Sequence, residues 1–262
     1  MKFTERPLGD AAEASAHTGG TLRDTLQLCA VVVACGVVLY FTAALAVDKI
    51  VENISPETEA RIFAKLPLGN LLPSGSEEEA ARWKPLLERM AAHPEVPKLP
   101  YTLEVAAEPD MPNAFAVPGG RIVMTRALLD KLGDDETAVA FVIGHELGHF
   151  RQRDHLRGLG RGVALAVCLM ALSGSEDLFS VAQAAADAMN RTYSRAQEEG
   201  ADRFGARLVL ETFGSAEGAD KLFKLLRDME GLPNWAYMLT THPDPDRRIR
   251  AIRETVEARE NR

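Results

Sequence analysis

Apolar residues follow three different patterns along this chain. The first is an unbroken run, "LQLCAVVVACGVVLYFTAALAV" from Leu26 to Val47, without one charged residue. At 1.5 Å rise per residue, a helix of that length crosses a hydrocarbon core of about 30 Å. Buried core helices seldom run so long without a charge, so the run predicts a single membrane anchor. The stretch 1–25 before it is polar and carries Glu5, Asp10, Glu13 and Asp24, which does not fit a cleaved signal peptide. It reads as a tail, and 48–75, with Pro56, Pro67 and Pro73, reads as a stalk.

The second pattern has helical period. Ser76 and Glu79 have capping-box spacing ahead of an apolar face at Trp83, Leu86, Leu87 and Met90. Asp134 or Asp135 can cap a longer helix on which Ala138, Phe141, Val142 and His145 share a face. The run Gly162–Gly174 is short for a membrane span and predicts a buried or surface-lying helix. Further helices fit 181–212, 216–230 and 246–258. The third pattern is strand-like. "YTLEVAA" from Tyr101 reads as a strand, and "AFAV-PGG-RIVMT" as a hairpin turning at Gly119 and Gly120. The expected fold class is α+β: a mainly helical domain over 76–262 with a small β-sheet, preceded by one transmembrane helix.

Composition narrows the function. The formal net charge of −8 excludes the basic stripe that nucleic-acid binding needs. Cys29, Cys35 and Cys168 have no C-x-x-C partner, so neither a disulfide framework nor a thiolate metal site is indicated.

The chemistry lies in "VIGHELGHF", residues 142–150. Residues four apart stack on one helix face, so His145 and His149 can aim their imidazoles at one zinc ion. Glu146, beside the first histidine, can act as general base on a water without ligating the metal. A catalytic zinc wants three protein ligands and one open position. His155 has the spacing of a metzincin third ligand, but Gln152 stands where that pattern needs a helix-breaking glycine. If the helix continues, His155 lies about 9 Å beyond His149 along the axis and reads as a surface histidine. The other candidate is "YSRAQEEGADRFG". Glu198 and Asp202 share one helix face there, and Glu199 and Arg203 look like a solvent ion pair on the next. Glu198 can supply the third ligand, with Asp202 holding a ligand histidine by its other ring nitrogen. Spacing alone leaves a solvated charged face equally open.

"SRAQEEGAD" resembles the S-R-x-x-E-x-x-A-D pattern of the zinc metallopeptidases related to HtpX and the CAAX prenyl proteases. "NAFAVPGGRIVMTRALL" (Asn113–Leu129) resembles the hairpin before their zinc helix, and "THPDPDRRI" (Thr241–Ile249) their T-H-P-x-x-x-x-R-I segment. The resemblance implies a zincin-like gluzincin domain holding one zinc ion on His145, His149 and Glu198. It implies Glu146 as catalytic acid/base and Asp202 as the group orienting a ligand histidine. It also places His242 near the zinc, steadying the oxyanion or filling the open position at rest, with Arg248 in related work. Otherwise Thr241-His242-Pro243 only shapes a turn. Asn113, Ala114, Phe115, Ala116 and Val117 are the candidates for pairing with an extended protein or peptide substrate.

The expected protein is thus a membrane-anchored zinc metalloendopeptidase acting on misfolded or membrane-associated chains. Its partners are substrate and the lipid bilayer, with no nucleic acid. A low-turnover zinc-containing chaperone or scaffold is the alternative. His242 or 158–180 is a candidate cover for the cleft. Basic residues are balanced across the span, with Lys2, Arg6 and Arg23 before it and Lys49, Arg61 and Lys65 after it. The short polar tail therefore carries the only argument on sidedness, favouring a catalytic domain outside the cytoplasm.

Overall fold

The computed structural model describes residues 22–65, 76–107, 112–173, 193–215 and 245–260. A 32-residue helix, α1 (Leu22–Asn53), contains the whole apolar run. Among the described residues it is the one helix long and apolar enough to cross a membrane. The expected stalk is helical next to it. Ser55 caps α2 (Pro56–Phe63) by accepting from the Thr58 amide, and Pro56 starts the first turn, where its missing N–H costs nothing. Glu59 on α2 is buried, with Oε1 accepting from the Gly119 amide at 3.0 Å. This part of the stalk is therefore docked on the domain.

Ser76 caps α3 (Glu77–Ala91) as expected, accepting from the Glu79 amide. The Glu79 carboxylate pairs with Arg126 at 2.6 Å. Trp83, Leu86, Leu87 and Met90 are all buried. Three strands follow: β1 (Thr102–Ala106), β2 (Ala114–Val117) and β3 (Arg121–Thr125). β2 and β3 form the expected antiparallel hairpin, with Gly119 and Gly120 at φ 93° and 94°. β1 pairs with β3 in parallel, giving the order β1-β3-β2 and leaving β2 at an edge.

After α4 (Arg126–Leu132) comes α5 (Glu136–Gln152), capped by Asp135. Every residue of α5 from Ala138 to Phe150 is buried. The sequence pattern predicts one apolar face; α3, β2 and α7 (Arg195–Phe213) instead enclose the helix from several sides. Phe141, Ile143, Leu147 and Phe150 are fully covered, each stabilising the fold by about 1.5–3 kcal/mol. α5 ends at Gln152 because Arg153 adopts a left-handed conformation at φ 58°. The chain then turns into α6 (Asp154–Ser173), which contains the second apolar run. The helix expected at 181–212 instead begins at Arg195, where extended Ser194 caps it in a capping box with Gln197, so Tyr193 and Ser194 are not helical; 181–192 lies outside the described residues. So does the helix expected at 216–230. The last expected helix is α8 (Pro245–Glu260).

Candidate metal centre

α5 and α7 cross almost backbone to backbone. A Cβ on Gly148 would sit 2.8 Å from Ala201 Cα, and one on Gly205 would sit 2.8 Å from the His145 nitrogen. Only residues this small permit so close a crossing, and it brings Glu198 against the two histidines. His145 Nε2 and His149 Nε2 are 3.1 Å apart. Glu198 offers Oε1 at 3.3 Å from His149 Nε2 and Oε2 at 3.7 Å from His145 Nε2.

The other ring nitrogens are held from outside. His145 Nδ1 is 2.9 Å from Asp202 Oδ1, and His149 Nδ1 is 3.0 Å from Asp154 Oδ2. With each Nδ1 donating to a carboxylate, both Nε2 atoms carry lone pairs into the same space. Two lone pairs at 3.1 Å facing a carboxylate repel one another unless a proton or a metal cation lies between them. Tetrahedral zinc at 2.0–2.1 Å from its ligands sets those ligands about 3.3 Å apart. The observed separations fit that group, and all three ligand atoms lie within 4.8 Å of one another.

Charge in the cluster favours a cation. Burial opposes protonation of His149, yet Asp154 and Glu198 raise its pKa to about 10. Burial holds His145 below its ordinary value, with Arg248 adding to the effect against the pull of Glu198 and Asp202. Burial also works against an ionised Asp202, but Arg248 and His145 outweigh it and keep that carboxyl low. Arg248, on α8, makes the forked contact behind this, with Nε 2.6 Å from Asp202 Oδ2 and Nη2 2.7 Å from Oδ1. Its Nη1 reaches Glu198 Oε2 at 3.1 Å. One guanidinium thus fixes a ligand and the acid that orients another ligand.

Glu146 is buried, and its Oε2 has no hydrogen-bond partner among the described residues. An unpaired carboxylate oxygen beside an open metal position is what a general base needs.

The structure therefore brings together His145, Glu146, His149, Glu198, Asp202 and Arg248. It separates His155 from them, for a reason other than the one expected. The helix does break before His155, but the ring turns away and its Nε2 meets Glu59 at 2.9 Å. His155 is buried rather than on the surface. Glu199 and Arg203 pair at 2.9 Å, as their spacing predicts. Asn113 is buried beside β2, the edge strand lying against α5. His242 lies outside the described residues. Sequence reasoning misses two residues. Asp154 orients His149 and is itself held by Gln197 at 2.5 Å. Tyr193 stacks on the His149 ring at 3.9 Å between centroids. No sequence signal marks either residue, because the helix break that places Asp154 falls on an arginine rather than a glycine.

Two helical histidines, a glutamate from a second helix and an unpaired acid define a metallopeptidase site. The chain belongs to peptidase family M48, which it matches over residues 77–256. It is 26% identical to the metalloprotease YcaL of Escherichia coli over 199 residues, covering 74% of this chain and 76% of that one. It is 30% identical to a protease HtpX homolog of Salinibacter ruber over 184 residues, 64% of each. A putative beta-barrel assembly-enhancing protease of Vibrio cholerae is 28% identical over 184 residues. That match takes in 63% of this chain but only 37% of the longer protein.

Proposed function

We propose that the chain is a membrane-anchored zinc metalloendopeptidase that cleaves misfolded or membrane-associated proteins, with one zinc ion per chain. The convergence of His145, His149 and Glu198, with buried Glu146 next to His145 in sequence and one of its oxygens unpaired among the described residues, carries this reading. Bound there, zinc supplies Lewis acidity that polarises the scissile carbonyl and lowers the pKa of a water. The chain's own residues do the rest. Glu146 takes the water's proton and passes it to the leaving amine. Asp202 and Asp154 keep both imidazoles in the ligating tautomer.

β2 is suited to hold the substrate. It is an edge strand beside the metal-bearing helix, and the outward-facing main-chain groups along Ala114 to Val117 can pair with an extended peptide, whereas Asn113 has both main-chain groups tied to Thr125. Backbone pairing demands little of substrate side chains, which suits a protease for misfolded chains. His242 retains the role that the family pattern implies, near the metal. α1 serves as the anchor, so the tail and the catalytic domain lie on opposite faces of the membrane.

The test is Glu146→Gln in the full chain. The variant should bind zinc with unchanged stoichiometry and lose cleavage of casein. Undiminished cleavage would end the proposed mechanism, and zinc binding with no cleavage by either protein would favour a scaffold.

A further inference from the structure

α6 changes character along its length. Its first turns carry Arg157 and Arg161; from Gly162 to Ser173 there is no charged residue. Its partner is α1, and the two run antiparallel. Arg153, just before α6, donates to the Val51 carbonyl at 2.9 Å and also reaches the Ile54 carbonyl. Two turns on, Arg161 forks onto Asp48 at 2.6 and 2.8 Å, and Gly160 lies against Val47. The contact continues past Asp48. Gly36, Tyr40, Ala43, Ala44, Val47, Asp48 and Val51 are the partly or fully covered positions of α1, most of them a stripe at helical spacing. Between Leu22 and Cys35, α1 is exposed all round. The covered stripe therefore runs from the end of α1 well into its apolar run.

We propose that α6 from Gly162 to Ser173 is immersed in the lipid bilayer beside α1, with lipid covering Val167 and Leu169. The proposal rests on α1 being the membrane anchor. If α1 spans, a helix that packs antiparallel against it from Val51 to Val47 and continues in that direction enters the same depth. Twelve residues rise about 18 Å, past the middle of a hydrocarbon core of about 30 Å. The outer face of α6 suits that medium. Val167 and Leu169, on opposite flanks of the helix, are 53% and 56% exposed, and Val33, Val37 and Phe41 on α1 are exposed as well. Small residues that let helices pack closely in lipid are buried on α6, Gly162 and Ala166, and partly covered on α1, Ala43 and Ala44. The charges gather at one level, where Arg157, Arg161, Asp48 and Lys49 mark the boundary.

The metal centre then stands at the membrane surface. His149 is one turn before Arg153, whose guanidinium holds the end of α1 just beyond the apolar run. That path is on the order of 20 Å. Tyr193, further along the chain than α6, stacks on the His149 ring. The substrate class favoured is a chain segment emerging from the bilayer, cut close to the lipid.

The experiment uses the full chain with its three cysteines replaced, reconstituted in phosphatidylcholine vesicles. Single cysteines at Val167, Leu169, Val38 and Glu88 carry a nitroxide, read for collision with oxygen and with a water-soluble nickel complex. Labels at 167, 169 and 38 should meet oxygen at least tenfold more than nickel, and the label at 88 the reverse. Nickel reaching 167 and 169 while 38 stays in lipid would overturn the proposal and leave the anchor standing. So would labels at 167 and 169 that neither reagent reaches, since protein would then cover that face. Nickel reaching 38 would instead remove the anchor reading itself.

Discussion

Asp154 Oδ2 lies 3.0 Å from His149 Nδ1, directly after the left-handed residue that ends the metal-bearing helix. The carboxylate fixes both the tautomer and the orientation of the ligand. Removing such a partner costs about 10–100-fold in metal affinity. Asp154→Ala should show that loss in competition with a chromophoric zinc chelator. Asp154→Asn keeps an acceptor and should lose less. Equal affinity in all three proteins would mean that His149 is oriented by packing, including the Tyr193 stack.

Arg248 is the only cation shown contacting both Glu198 and Asp202 among the described residues. All three groups are buried, so removing the guanidinium leaves two carboxylates without it. Breaking a buried ion pair in this way costs about 3–5 kcal/mol. Arg248→Met should lower the unfolding free energy by about that amount in denaturant titration of the detergent-solubilised chain. Lysine cannot reproduce the fork and should rescue only part of it. A variant as stable as the parent would show that α8 does not brace the site.

The close crossing of α5 and α7 makes its own demand. A methyl at Gly205 would press on the His145 backbone at 2.8 Å. Overpacking of this kind costs roughly 1–3 kcal/mol. Gly205→Ala should destabilise the domain and weaken zinc binding together, because relief requires moving Glu198 away from the histidines. Loss of stability with unchanged zinc affinity would uncouple the crossing from the site.

Glu59 gives a pH dependence remote from the metal. Burial raises its pKa, but His155, the Gly119 amide and Arg153 outweigh this and hold it below the ordinary value. A depressed carboxyl stabilises the fold fully above the unfolded value of about 4.3. That stability is lost as pH falls through the folded value. The gap in melting temperature between the parent and Glu59→Gln should therefore be present at about pH 5.5 and close as pH falls further. A gap that widens on acidification would contradict the sign.

What the sequence made legible was local. The H-E-x-x-H face, the Ser76 and Asp135 caps and the glycine turn of the hairpin each depend on neighbours within a few residues. Pro56, Pro67 and Pro73 make 48–75 read as a stalk, although Ser55 and Pro56 open a helix there. Long-range pairings were not legible. Nothing near His155 announces Glu59, which is 96 residues away. The parallel pairing of β1 with β3 likewise depends on tertiary packing. The break at Arg153 was hidden because an arginine, not a glycine, takes the positive φ. That break decides where Asp154 and His155 point. The run at 162–174 was judged on its length, which cannot reveal that α1 lies beside it.

That companion helix bears on sidedness. Counted along the sequence, basic residues are balanced across α1, and the short polar tail favoured a domain outside the cytoplasm. Immersing α6 adds Arg153, Arg157 and Arg161 to the boundary on the domain side, doubling the basic count there. Basic residues flanking apolar segments stay on the cytoplasmic side, whereas acidic ones such as Asp48 contribute little. The balance therefore favours a cytoplasmic catalytic domain and an exported tail, the reverse of the expectation from tail length. Protease added to intact cells should leave residues 76–262 whole, and the same protease should digest them in inverted vesicles. Digestion from outside intact cells would restore the earlier orientation. It would also put this arginine cluster on the side that the positive-inside rule disfavours, where Arg153 and Arg161 would be kept for their contacts with α1.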